Sequence, residues 1–107
     1  MNYKLYYAPG TASMCIRALL EEIGEPYELI QTTTDRLKIR PVEQIKINPN
    51  GWVPVLSWDD GAMYECAAIT MFLCDRYPEA QLAPKLEAPE RSLFLQTLLY
   101  FASSVQI

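Results

Sequence analysis

The sequence predicts an α/β fold with a four-stranded mixed sheet. A βαβ unit comes first, a ββα unit follows, and one more helix closes the chain. Three observations point there. Short apolar alternations are interleaved with runs of helical period. Pro and Gly punctuate the boundaries between them. At 107 residues, 50% hydrophobic and 21% charged, the chain has material for one compact core.

Tyr3, Leu5 and Tyr7 alternate with Asn2, Lys4 and Tyr6, which reads as a first strand. Ala8-Pro9-Gly10 breaks it, and Thr11 or Ser13 is placed to cap a helix with its hydroxyl. Ile16, Leu19, Leu20 and Ile23 make that helix's apolar face, and Gly24 supplies a left-handed stop. Tyr27-Glu28-Leu29-Ile30 is a second strand. A strand, a helix and a strand this close together require a parallel pairing and a right-handed crossover.

Residues 31–46 are polar and weakly patterned, with room for a short helix from Pro41 to Ile45. Asn48-Pro49-Asn50-Gly51 is a turn, and residues 53–58 form a third strand with Pro54 at its start or on an edge. Asp59-Asp60-Gly61 reads as a hairpin turn into an antiparallel fourth strand, Ala62-Met63-Tyr64. A helix from Cys66 to Tyr77 ends at Pro78. Residues 79–88 form a linker, and Pro89 opens a last helix bearing Leu93, Leu95, Leu98, Leu99 and Phe101. That apolar face needs cover, from the domain itself or from a second copy. The expected division is residues 1–78, the linker 79–88, and 89–107 as the first helix of a second, helical domain that the sequence enters but does not complete.

Net charge is −4, which disfavours a nucleic-acid phosphate surface. No apolar run reaches the roughly 20 residues of a membrane span, and no signal peptide is visible at Met1-Asn2-Tyr3-Lys4. There is no His, which removes His-dependent triads and His-based metal sites, and no metal is expected. Cys15, Cys66 and Cys74 form no CxxC pair, and an odd count fits the reducing cytoplasm. Cys15 reads as core packing.

Three strings narrow the class. Lys4-Leu5-Tyr6-Tyr7-Ala8-Pro9-Gly10, followed by a hydroxyl-bearing helix start, resembles the opening of bacterial beta-type glutathione S-transferases. Asn48-Pro49-Asn50-Gly51-Trp52-Val53-Pro54-Val55-Leu56 resembles that family's N-P-x-G-x-V-P-x-L segment. Tyr64-Glu65-Cys66-Ala67-Ala68-Ile69 resembles its E-S-x-A-I helix start. The resemblance runs over about residues 3 to 84 and implies a thioredoxin-like domain that binds glutathione as co-substrate. It also implies a homodimer, and a thiolate that attacks small electrophiles or peroxides, as in detoxification.

The resemblance assigns roles residue by residue. The glutathione sulfur accepts a hydrogen bond near the start of the first helix, where the helix dipole favours an anion. Ser13 is the first choice of donor, then Thr11, then Tyr7. The beta-type cysteine falls at Ala12, so mixed-disulfide chemistry is lost there. The Val53–Pro54 bond is expected cis, with the Val53 backbone pairing the cysteinyl part of the ligand like an added strand. Glu65 would pair the γ-glutamyl amine. The backbone at Cys66 would receive the γ-glutamyl carboxylate. Cys66 replaces the family's Ser, which exchanges a strong donor for a weak one at a cost of around 1 kcal/mol. Lys38, among Arg36, Lys38 and Arg40, is the candidate for the glycine carboxylate. Trp52 flanks the ligand or a subunit contact. The departures at Ala12 and Cys66 leave a second reading, a non-catalytic interaction module of the same fold.

Overall fold

A computed structural model describes the backbone of residues 1–105 and the side chains of residues 1–103. The strands are β1 (Tyr3–Tyr7), β2 (Tyr27–Gln31), β3 (Val55–Trp58) and β4 (Gly61–Tyr64). The helices are α1 (Ser13–Ile23), α2 (Val42–Ile47), α3 (Cys66–Arg76) and α4 (Arg91–Tyr100). A 3₁₀ turn, Pro78–Ala80, follows α3, and a π-helical turn, Phe101–Val105, follows α4. The last two residues of the helix expected over 89–107 lie outside the described residues.

The sheet order is β2-β1-β3-β4. β1 pairs with β2 in parallel, from Tyr3 opposite Tyr27 to Tyr7 opposite Gln31. β3 runs antiparallel to β1, with Leu5 opposite Leu56, and β4 is antiparallel to β3. This is the mixed four-stranded sheet of the βαβ–ββα plan.

The main core lies between the sheet and α1 with α3. Leu5, Ile16, Leu20, Leu56, Ile69 and Leu73 are buried there with Tyr3. Gly24 ends α1 at φ 85°, and its N–H returns to the Leu20 carbonyl. Tyr77, just past α3, donates to Glu25 (3.0 Å) and bonds the Tyr3 hydroxyl (2.8 Å), which ties β1, α3 and the turn before β2 together. Burial, with these two partners, pushes the Tyr77 phenol well above its usual range.

Two local expectations change and one is refined. Ala12 occupies the cap position of α1 and has no capping oxygen, but Thr11 Oγ1, one residue earlier, accepts the Ser13 N–H (3.3 Å), while the Ser13 hydroxyl is engaged by Ala8. The hairpin turn is Asp59-Asp60 alone, and Gly61 is already in β4 opposite Trp58. The Trp58 indole lies 2.6 Å from where a Gly61 Cβ would stand, so close approach rather than turn geometry demands glycine. Pro89 sits two residues before α4 begins at Arg91, within a turn closed by Arg91 N–H to the Ala88 carbonyl (3.0 Å).

Candidate functional site

The site forms where three segments meet at one end of the sheet. α2 places the first. Gln44 is fully buried, and its Nε2 donates to the Gly51 carbonyl (3.1 Å) and reaches the Trp52 carbonyl (3.5 Å). Asn48 adds a contact from Nδ2 to the Trp52 carbonyl (3.4 Å), and its Oδ1 accepts the Asn50 N–H (3.2 Å). Two side-chain amides thus hold the loop that delivers Trp52, Val53 and Pro54. The Val53–Pro54 peptide bond is cis. Pro54 is buried, and Trp52 is 64% exposed.

The second segment is the start of α3. Glu65 holds its cap position at φ 83°, ψ 114°, a backbone region that side-chain-bearing residues rarely adopt. Strain of this kind costs on the order of 1–3 kcal/mol and collects at functional positions. It leaves the Glu65 carboxylate exposed beside the first turn of α3. Cys66 follows, half-buried, with its Sγ 3.8 Å from the Ala12 carbonyl. Burial pushes the Cys66 thiol up.

The third is the β1–α1 turn. Thr11 Oγ1 donates to the Ala8 carbonyl (2.6 Å) and lies 2.5 Å from Ser13 Oγ. Ser13 Oγ accepts the Ala8 N–H (3.2 Å) and reaches the Ala8 carbonyl (3.2 Å). Ser13 is 0% exposed, whereas Thr11 is half-buried and retains surface. Tyr7 is half-buried and packs against the main core.

A cavity of about 240 Å³ joins Trp52, Val53, Pro54, Glu65 and Cys66 with Ala12 and Tyr64. Ala102, beyond α4, also lines it. The sequence-derived set therefore divides. Trp52, Val53, Pro54, Glu65 and Cys66 share one hollow, while Ser13, Thr11, Tyr7 and Lys38 are not among its lining residues.

Lys38 is exposed in a turn closed by its own N–H to the Asp35 carbonyl (3.1 Å). Of the neighbouring cations, Arg40 lies nearer the site loop. Its side chain packs within 2.8 Å of where a Gly51 Cβ would be, and its buried Nε has no hydrogen-bond partner. Gly51, at φ 75°, leaves room for it. Sequence reasoning also passed over Gln44. Its one signal is an amide in the turn of helix before Asn48-Pro49-Asn50-Gly51.

A second, larger hollow of about 670 Å³ separates α4 from α1 and α3. Leu93, Phe94, Leu98 and Phe101 face it from the C-terminal side, opposite Cys15, Leu19 and Cys66. Cys15 is thus exposed on a groove rather than packed in the core, because α4 stands off from α1. Leu93, Leu99 and Tyr100 are largely exposed. Arg91 anchors the start of α4 through the Pro84 carbonyl (2.9 Å) and a 3.9 Å ion pair with Asp75. No described helix is long and apolar enough to cross a membrane, and no described cluster of acidic or cysteine residues could hold a metal ion.

Residues 5–81 match the family described as glutathione S-transferase, N-terminal domain. The chain is 30% identical over 104 residues to glutathione S-transferase GstA of Escherichia coli O157:H7, covering 95% of this chain and 52% of that protein. A glutathione transferase from Methylococcus capsulatus superposes with a TM-score of 0.82 at 30% identity, over 96% of this chain and 52% of that one. A sphingomonad glutathione S-transferase, solved with glutathione, gives 0.78 at 28% identity, over 94% and 51%. This chain spans about half the length of the curated relatives it matches. With its thioredoxin-like sheet and the matched segment running from β1 past α3, the chain belongs to the glutathione S-transferase family.

Proposed function

We propose that the chain supplies the glutathione-binding half of a glutathione transferase. The observation that carries this is the convergence of Val53, Pro54, Glu65 and the first turn of α3 on one small cavity. The Val53 backbone pairs the cysteinyl unit, Glu65 takes the γ-glutamyl amine, and the N–H groups opening α3 take the γ-glutamyl carboxylate. Solved relatives that carry glutathione support the ligand class.

At the thiolate, Thr11 is favoured over Ser13. The two hydroxyls have two hydrogens between them. If Ser13 donates to the Ala8 carbonyl, Thr11 is released to turn its hydrogen toward an incoming sulfur, at the cost of its own bond to Ala8. The start of α1 adds its dipole, which favours the anion. Tyr7, held against the core, is third. For the glycine carboxylate, Arg40, with its unpartnered Nε beside the site loop, is favoured over Lys38.

The thiolate so favoured attacks an electrophilic carbon or a peroxide, as a cytoplasmic detoxifying enzyme would require. Residues 1–78 form the glutathione-binding unit, 79–88 connect it, and 89–107 begin the helical part that borders the electrophile. Two such chains would pair as a homodimer.

Calorimetric titration of glutathione into the chain tests the reading, with Glu65→Ala and Glu65→Gly beside it. Binding in the low-millimolar range or tighter should disappear in both variants. Glu65→Gly should also unfold at higher denaturant, since glycine accepts φ 83° without strain, with a gain of about 1 kcal/mol. Equal binding by all three chains would refute the assignment of Glu65. No binding by any of them, with each folded, would turn the reading toward a non-catalytic module.

A further inference from the structure

Two cysteines flank the junction of α1 and α3, and the proposed transferase chemistry uses neither sulfur. Cys66 Sγ lies 3.8 Å from the Ala12 carbonyl oxygen. That same oxygen receives the Cys15 N–H at 3.0 Å. Both residues therefore converge on one atom, from the first turn of α1 and the first residue of α3. Both also line the larger groove, on the same side, opposite α4. None of the three cysteines is in a disulfide.

We propose that Cys15 and Cys66 are a peroxide-sensitive thiol pair that closes to a disulfide across the α1–α3 junction. Cys15 is the exposed member and the one an oxidant reaches first. Its sulfur attacks one oxygen of hydrogen peroxide, the O–O bond breaks, and a sulfenic acid forms as water leaves. The Cys66 sulfur then attacks that sulfenic sulfur, its proton leaving with the hydroxyl as a second water. Two thiols give up two electrons in total, and one peroxide is reduced to two waters. At rest, burial favours the thiol form of Cys66, which keeps it in reserve as the resolving partner. Cys74 is buried farther along α3 and is outside the pair.

The bond would lock together the two helix starts that border the small cavity, and Cys66 itself lines that cavity. Oxidation would therefore also disturb the glutathione site, a consequence that rests on the proposed function. The disulfide itself is read without glutathione, so the two can fail separately.

The test treats the folded, dilute chain with one equivalent of hydrogen peroxide. Remaining thiols are then alkylated and the digest is mapped by mass spectrometry. A linked peptide pair containing Cys15 and Cys66, short of two hydrogens and released by dithiothreitol, is expected. It should vanish in Cys15→Ser and Cys66→Ser and persist in Cys74→Ser. Cys15 recovered as sulfinic acid with Cys66 alkylated would overturn the proposal. So would Cys15 bridging two chains, or all three thiols intact, in a chain whose circular dichroism is unchanged.

Discussion

The two faces of the sheet are covered by different chemistry. On one, Leu5 and Leu56 pack under Ile16, Leu20, Ile69 and Leu73, an apolar layer contributed by α1 and α3. On the other, Tyr6 and Val55 lie on the side of α2, which turns Gln44 and Asn48 inward and leaves Val42 and Ile45 exposed. The apolar face gains from area removed from water, which is non-directional. The polar face works through aimed bonds: Gln44 and Asn48 to the site loop, and Tyr6 to Glu43 (3.1 Å). Dispersion suffices to hold an element in place. A loop that must present Val53 and Pro54 at a fixed position needs directional contacts, and α2 provides them.

Breaking each face separately should make the contrast measurable. Leu56→Ala opens a cavity in the apolar layer and should cost about 2–5 kcal/mol in urea unfolding. Glutathione affinity of the chains that remain folded should hardly change. A cost below about 1 kcal/mol would mean that the layer repacks around the loss.

Gln44→Ala should cost less, about 1–3 kcal/mol, because the buried Gly51 carbonyl loses its Gln44 partner. Here glutathione affinity should fall as well, since the loop carrying Trp52 and Val53 is loosened. Unchanged affinity would show that Asn48 positions the loop alone.

Tyr6→Phe is the mildest, about 1 kcal/mol, and it carries a pH signature. Burial, then the hydrogen bond to Glu43, push the Tyr6 phenol up from 10.0 to about 12. A folded-state pKa above the unfolded value means that the unfolded chain ionises first as pH rises. The stability from Tyr6 is therefore intact below pH 10 and lost between 10 and about 12. Unfolding curves for the parent chain should fall more steeply across that window than those for Tyr6→Phe. Parallel curves would remove Tyr6 as the source.

Much of this was written locally. Alternation gives β1, helical spacing gives α1 and α3, and Gly24 stops α1 as a left-handed glycine should. The short helix given room from Pro41 to Ile45 forms as α2, one residue later at its start and two at its end. Glu65, Val53 and Pro54 could be singled out because their strings are contiguous. What stayed hidden depends on elements distant in sequence. Gln44 looks like a surface amide until the loop after it folds back. Ser13 looks like an available hydroxyl until Ala8 closes over it. Cys15 falls beside the apolar residues of α1, and only the stand-off of α4 leaves it on a groove. Burial of polar groups and gaps between helices are tertiary facts with no local period.

Gly61 carries a constraint of its own. The Trp58 indole that occupies its side-chain space is stacked on Phe72 of α3, with ring centroids 4.8 Å apart. Positions 58 and 61 therefore cannot be varied independently. A designer who wants alanine at 61 must also shrink the indole, and shrinking it strips Phe72 of its stacking partner. A combinatorial library that randomised the hairpin alone would return glycine at 61 almost every time. The selection pressure behind that result would come from a helix outside the randomised segment.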